Sequence, residues 1–147
     1  MRCVIQRSLN ASVKVNGETR AAIGRGLLIY LAVLETDTGE TVRKVAGKIV
    51  RLRIFDDENG KMNDSLVQRG YATLLVPQFT LYAELKKGNR PFYGTVASPS
   101  HATRIFDCMA RELSAHGESQ TGVFGANMKI ESANDGPVTL ILDSDEI

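Results

Sequence analysis

The sequence predicts a single α+β domain, and three observations predict it. Short β-branched and apolar runs recur in the first third, the middle and the last part of the chain. Two stretches carry the spacing of amphipathic helices. The helices do not alternate regularly with the strands, which argues against a doubly wound sheet. The 147 residues suit one domain. A chain of this length buries roughly 70% of its unfolded surface.

In chain order, residues 2–7 and 11–16 read as two short strands, with Val13 and Val15 alternating against Ser12 and Lys14. Asn16-Gly17 is a strong turn signal leading into a third strand, Thr19–Ile23. Gly24 and Gly26 punctuate the chain before Leu27–Val33, whose unbroken apolar run predicts a central strand buried on both faces. Val42, Val45, Ala46, Ile49 and Val50 follow the i, i+3, i+4, i+7, i+8 spacing of a helix. Asp37 and Glu40 have the spacing of a capping box at its start. Lys44, Lys48 and Arg51 fall on its opposite face, as a solvated surface or as a phosphate-contacting stripe.

Asp56–Gly60 is an acidic turn. An EF-hand calcium loop is excluded there, because its twelfth position is Val67 and not a glutamate. Tyr71–Val76 and Phe79–Ala83 read as strands separated by Pro77, which donates no ladder hydrogen bond and belongs at a bulge or strand end. Lys86–Arg90 is a basic loop. Ser98 as cap and Pro99 at the first position open a second helix, with Ala102, Ile105, Phe106, Met109 and Leu113 as its apolar face. The chain closes with residues 122–132, a turn at Asn134–Pro137 and a strand at Val138–Leu142. Asp143, Asp145 and Glu146 read as a solvated acidic tail.

The balance of 18 Lys+Arg against 17 Asp+Glu excludes extensive coating of nucleic acid, which needs many cation–phosphate contacts. The near-zero total hides an excess of cations in the first half and of anions in the second. Cys3 and Cys108 make no disulfide scaffold and read as small buried apolar residues in a reducing compartment. Two histidines and two cysteines lie too far apart for a zinc-ligand spacing, and no metal is expected. The longest apolar run, Leu27–Leu34, falls short of a membrane span, and the expected location is cytoplasmic. Neither a GxSxG nucleophile elbow nor a GxxxxGK[ST] phosphate loop occurs. His101 and His116 sit at opposite ends of the second helix and read as surface or helix-end residues.

Two segments stand apart from this ordinary reading. Pro77-Gln78-Phe79-Thr80-Leu81 alternates polar and apolar residues just past a proline. Asn134-Asp135-Gly136-Pro137-Val138-Thr139 enters a strand through a Gly-Pro bond, a bond type that is cis in about 5–6% of cases. With these two motifs the sequence resembles the D-aminoacyl-tRNA deacylases, also called D-Tyr-tRNA deacylases. The likeness runs over essentially the whole chain. It takes in Val4-Ile5-Gln6-Arg7, Gly60-Lys61-Met62-Asn63-Asp64-Ser65, Lys87-Gly88-Asn89-Arg90-Pro91 and Gly122-Val123-Phe124-Gly125-Ala126-Asn127-Met128.

The resemblance implies a barrel-like mixed sheet with two main helices, and a homodimer. It implies hydrolysis of the ester joining a D-amino acid, or glycine, to the terminal ribose of tRNA, with no cofactor. Gln78, Phe79 and Thr80 would line the scissile ester, backbone N–H groups near Phe79 and Thr80 meeting the developing oxyanion. Gly136 and Pro137 would be a cis pair that reaches into the partner's site, holds the substrate ammonium and blocks an L side chain, with Arg7 as its brace. Phe124, Gly125 and Met128 would receive the terminal adenine, although core packing is the plainer reading of Phe124 and Met128. Thr80 has no activating base in view, so attack by water assisted by the ribose 2′-hydroxyl is expected.

Two positions depart from the family pattern. Pro77 stands where the family usually has Ser. A related animal group that acts on tRNA wrongly charged with an L-amino acid, through a trans Gly-Pro motif, carries Pro there. An L-tolerant editor is therefore one alternative, and a non-catalytic RNA binder using the two basic clusters is another. Phe92 follows Arg90-Pro91 where Ser is common, which alters the rim of the site.

Overall fold

A computed structural model describes residues 1–86 and 88–147; Lys87, in the expected basic loop, lies outside the described residues. Strand β1 (Arg2–Val15) organises the sheet. Its first half pairs antiparallel with β3 (Gly26–Ala32), Arg2 opposite Ala32 and Ser8 opposite Gly26. Its second half pairs with β2 (Glu18–Ile23). The two strands expected at residues 2–7 and 11–16 are thus one continuous strand. Ser8, Leu9 and Asn10 do not break it, because the chain changes partner there and shifts register on its other side. The hairpin turn at Asn16-Gly17 has positive φ at both residues, 52° and 83°, as a tight hairpin needs.

Helix α1 (Gly39–Val50) follows β3 and buries Val42, Val45, Ala46, Ile49 and Val50. Its capping box is formed by Thr38 and Thr41, not by Asp37 and Glu40. Asp37 is used elsewhere: its carboxylate accepts from the Met1 ammonium at 2.8 Å and from the Leu34 N–H at 2.7 Å. Lys44, Lys48 and Arg51 are exposed. Strands β4 (Arg53–Asp56) and β5 (Met62–Ser65) form a separate hairpin around the acidic turn, and short helix α2 (Leu66–Arg69) follows.

Strand β6 (Ala72–Pro77) pairs parallel with β3, ending at Pro77 opposite Leu31. Helix α3 (Pro99–Ser114) packs against α1, and β7 (Ser119–Thr121) adds to the far edge of β6. Ser98 holds the N-cap position without a side-chain cap; its hydroxyl goes to the Glu35 carboxylate at 3.3 Å instead. Strand β8 (Lys129–Asp143) runs antiparallel along nearly all of β1. It absorbs the expected turn at Asn134–Pro137 as a register shift within one strand, because β1 supplies partners on both sides of it.

The six-stranded mixed sheet has the path β2-β1-β3-β6-β7, with β8 on β1. Strand β2 also packs across onto β6 and β7, so the sheet nearly closes into a barrel. Alternation along β3 divides the core in two. Leu27, Ile29 and Leu31 face α1 and α3, while Leu28 faces the barrel interior with Val13, Ile23, Leu74 and Val76. The chain end is not a free acidic tail. Asp143 pairs with Arg2 at 2.9 Å, Ser144 accepts from the Met1 ammonium at 2.8 Å, and Ile147 packs on the core.

Candidate active site

Residues Phe79–Tyr82 form a single 3₁₀ turn, not the strand expected at Phe79–Ala83. The ladder with β3 makes its last bond here, from the Gln78 N–H to Leu31 O at 2.8 Å, just past Pro77, which has no N–H to donate. The chain then folds on itself, with the Leu81 N–H donating to Gln78 O at 3.3 Å. The N–H groups of Phe79 and Thr80 open this turn, where the turn itself supplies no acceptor. Among the described residues, no backbone acceptor outside the turn takes them. The Gln78 side-chain amide donates to the Thr80 hydroxyl and fixes both side chains.

Beside this turn lies a cavity of about 480 Å³. Its walls are mostly apolar: Leu31 on β3 and Val33 just beyond it, Pro77, Gln78 and Phe79, Val96 and Ala97 before α3, Ala102 and Phe106 on α3, and Phe124, Gly125, Ala126 and Met128. Gln78, Phe79, Phe124, Gly125 and Met128, singled out in the sequence, therefore meet around one space. Thr80 does not line it directly and joins it through Gln78.

The loop carrying Phe124 is docked by small, specific contacts. The Gly122 N–H donates to Leu75 O at 2.8 Å. A side chain at Gly122 would strike Met128 Sδ at 2.9 Å, so a glycine lets the loop lie against Pro77 and Met128. Met128 Sδ in turn accepts from the Val123 N–H at 3.3 Å, and Phe124 sits edge-on to Phe106, with centroids 5.9 Å apart. Phe124 is nonetheless 37% exposed, so it is a wall of the cavity and not a core residue. On the opposite side, Glu35 accepts from the Ser98 N–H at 2.8 Å and Leu34 bridges to Val96, tying the segment after β3 to the start of α3.

Gly136 and Pro137 do not line this cavity. They lie exposed on β8, the Gly136-Pro137 bond is cis, and Gly136 has φ of 122°. A cage of polar contacts surrounds them. The Asn134 amide donates to Arg7 O and to Val138 O, both at 3.0 Å, spanning the Gly-Pro pair. Arg7 is only 6% exposed. Its guanidinium donates to Ile54 O at 2.8 Å and Asp135 O at 3.3 Å, and pairs with Asp56 and Asp135, each at 3.2 Å. A Cβ on Gly136 would lie 3.3 Å from Arg7 Nη2. Asp56, Asn134 and Asp135 were not separately assigned from the sequence; their long-range partners leave no local periodic signal.

The remaining candidate groups stand outside the cavity's walls. His101 Nε2 lies 3.0 Å from Asp37 O and Nδ1 lies 2.8 Å from Arg104, which fixes Nε2 as the donor and occupies both nitrogens. Burial pushes the Cys3 thiol up to about 12, leaving it protonated and inert. Among the described residues no group of three His, Cys, Asp or Glu could hold a metal ion. No helix there is long and apolar enough to cross a membrane.

Residues 4–143 match the model of the D-Tyr-tRNA(Tyr) deacylase family. A D-aminoacyl-tRNA deacylase of Chloroflexus aurantiacus is 52% identical over all of this chain and 92% of its own length. One from Thermus aquaticus is 46% identical over 99% of this chain and 97% of its own. Among solved structures, a protein described as c-Myc DNA Unwinding Element Binding Protein superposes with a TM-score of 0.92 at 36% identity, covering 97% of this chain and 98% of that one. A probable eukaryotic D-amino acid tRNA deacylase, 18% identical with a TM-score of 0.84, shares the fold over 96% and 97% of the two chains. Matched over residues 4–143 and 52% identical along all of its length to a relative, the chain belongs to the D-Tyr-tRNA(Tyr) deacylase family.

Proposed function

We propose that this chain hydrolyses the ester of D-aminoacyl-tRNA, and of glycyl-tRNA mischarged on alanine tRNA, releasing amino acid and tRNA. The observation that carries the reading is the meeting of Gln78 and Phe79 with Phe124 and Met128 around one apolar cavity. A cavity of about 480 Å³ has the size of a small-ligand site and suits a splayed-out terminal adenosine. The ester then faces the turn at Phe79, whose free N–H groups offer hydrogen bonds to the carbonyl oxygen as it gains charge.

Water is the nucleophile in this reading. It attacks the ester carbonyl carbon while the ribose 2′-hydroxyl helps move its proton, and the 3′-oxygen leaves with a proton as the ester bond breaks. Thr80 orients Gln78 and is not itself activated, since its hydroxyl partner is the Gln78 amide and not a base. The aminoacyl ester is already reactive, so placement and a prepared electrostatic environment are sufficient.

The chiral gate is supplied by a second copy of the chain. Gly136 and Pro137 are exposed and lie outside their own cavity, which supports a role in a neighbouring one. On the outer face of β8, Ile141 is 72% exposed opposite half-buried Val4, an apolar surface suited to a two-fold partner. Backbone at Gly136-Pro137 holds the substrate ammonium and leaves no room for an L side chain, while hydrogen or a D side chain fits.

Mixing two inactive variants tests this arrangement. Gln78→Ala removes the ester side of a site and Gly136→Val removes the gate side. Re-formed mixed dimers should recover deacylation, because one of their two sites receives both intact parts. Absence of recovery in dimers verified as mixed would place both parts in one subunit. Pro77, in the cavity wall, favours a second reading in which small L-amino acids are also released. That reading predicts hydrolysis of L-Ala from mischarged tRNA and its loss in Pro77→Ser.

A further inference from the structure

Past the 3₁₀ turn the chain forms a small antiparallel bridge. The Glu84 N–H donates to Phe92 O at 2.8 Å and the Phe92 N–H to Glu84 O at 3.1 Å. Tyr93 then packs edge-on against Phe79, ring centroids 5.1 Å apart, so the bridge is hung on a wall of the cavity. Leu85 is 66% and Phe92 63% exposed, beside Phe79 at 56%. Lys86 and Arg90 are exposed within the same hairpin. Large apolar side chains clustered at a pocket mouth mark a contact surface. Aromatic faces interleaved with cations fit single-stranded nucleic acid, whose bases stack while its phosphates seek positive charge.

We propose that the Glu84–Phe92 bridge, with Lys86 and Arg90, clamps the unpaired nucleotides that precede the terminal adenosine. This rests on the reading of the cavity as the terminal-adenosine site. RNA entering that cavity must leave past its walls, and exposed Phe92 adjoins Tyr93, which packs on the wall residue Phe79. The Phe92 ring stacks on a base, and Arg90 and Lys86 meet the phosphates on either side. A protein partner is the less suitable occupant: in sequence, residues 84–92 hold one acid, Glu84, against Lys86, Lys87 and Arg90.

The test compares D-Tyr-tRNA with 3′-O-D-tyrosyl-adenosine, which has no preceding nucleotides. Stacking on one base is worth roughly 5- to 150-fold in affinity. Phe92→Ser should therefore raise KM for the tRNA about tenfold with kcat unchanged, and leave both constants unchanged on the adenosine ester. Arg90→Gln should raise the same KM and lower the salt slope of tRNA binding by about one. Equal losses on both substrates would overturn the clamp, because the hairpin would then be shaping the cavity. So would unchanged kinetics on tRNA, or a loss of self-association in Phe92→Ser seen by sedimentation, which would make the patch a contact between copies. Failure of the unaltered protein to hydrolyse either ester would overturn the deacylase reading together with the clamp.

Discussion

The Thr80 hydroxyl is the residue on which the mechanism turns. It accepts from the Gln78 amide, and both ring nitrogens of His101 are engaged, by Asp37 O and by Arg104. Thr80→Val should accordingly lower kcat by about tenfold or less, whereas loss of a true nucleophile costs about 10⁴-fold or more. Single-turnover hydrolysis of D-Tyr-tRNA measures the difference. Cys3 gives a second residue-level expectation. Its burial and raised thiol pKa of about 12 keep it unreactive, so alkylation mapped by mass spectrometry should reach Cys3 only after unfolding. The segments Pro77–Leu81 and Asn134–Thr139 stand out in the sequence because each is a short local motif. Asp56 does not, because its contact with Arg7 joins residues 49 positions apart.

Among the elements, the β3–β6 contact is the most sensitive to a single atom. A Cβ on Gly26 would fall 1.9 Å from Ala72 O, in the parallel pairing that carries β6 to the turn at Phe79. Gly26→Ala should destabilise the fold by about 3 kcal/mol, read as a shifted denaturant midpoint. By contrast Thr38→Ala, which removes the cap of α1, should cost about 1 kcal/mol. Helices α1 and α3 were legible because their apolar spacing repeats over two turns or more. The turn at Phe79 was not, since its alternation of apolar and polar residues is also that of a strand. The bonds that make it a turn, Leu81 N–H to Gln78 O and Ala83 N–H to Thr80 O, follow Pro77 and leave no signal in the periodicity. The length of β1 was hidden for a related reason: Ser8 to Asn10 look like a break until two different partners are seen on one side.

At the scale of the whole molecule, the chain's two ends are fastened together by charge. Met1 bonds Asp37 and Ser144, and Arg2 bonds Asp143. Burial pushes the Asp143 carboxyl up, but the Arg2 hydrogen bond and the Asp145 N–H outweigh it and hold the group below its ordinary 3.8. A carboxyl lowered in the folded state stabilises fully above its unfolded pKa, and that contribution is lost as pH falls through the folded value. Asp143→Asn should therefore destabilise at neutral pH, with the difference from the unaltered protein shrinking as pH drops below 3.8, checked by thermal unfolding. The barrel-like closure of the sheet was not legible in periodicity, because β2 meets β6 and β7 only through long-range packing.

The separation of the cavity from the Gly136-Pro137 pair within one chain is the feature the whole account must explain. Its central claim is that the pair reads the handedness of the amino acid. The most direct measurement is the ratio of hydrolysis rates on D-Tyr-tRNA and L-Tyr-tRNA at equal enzyme concentration. The account predicts rapid release of D-Tyr with L-Tyr-tRNA left intact. Equal hydrolysis of the two enantiomers would contradict it.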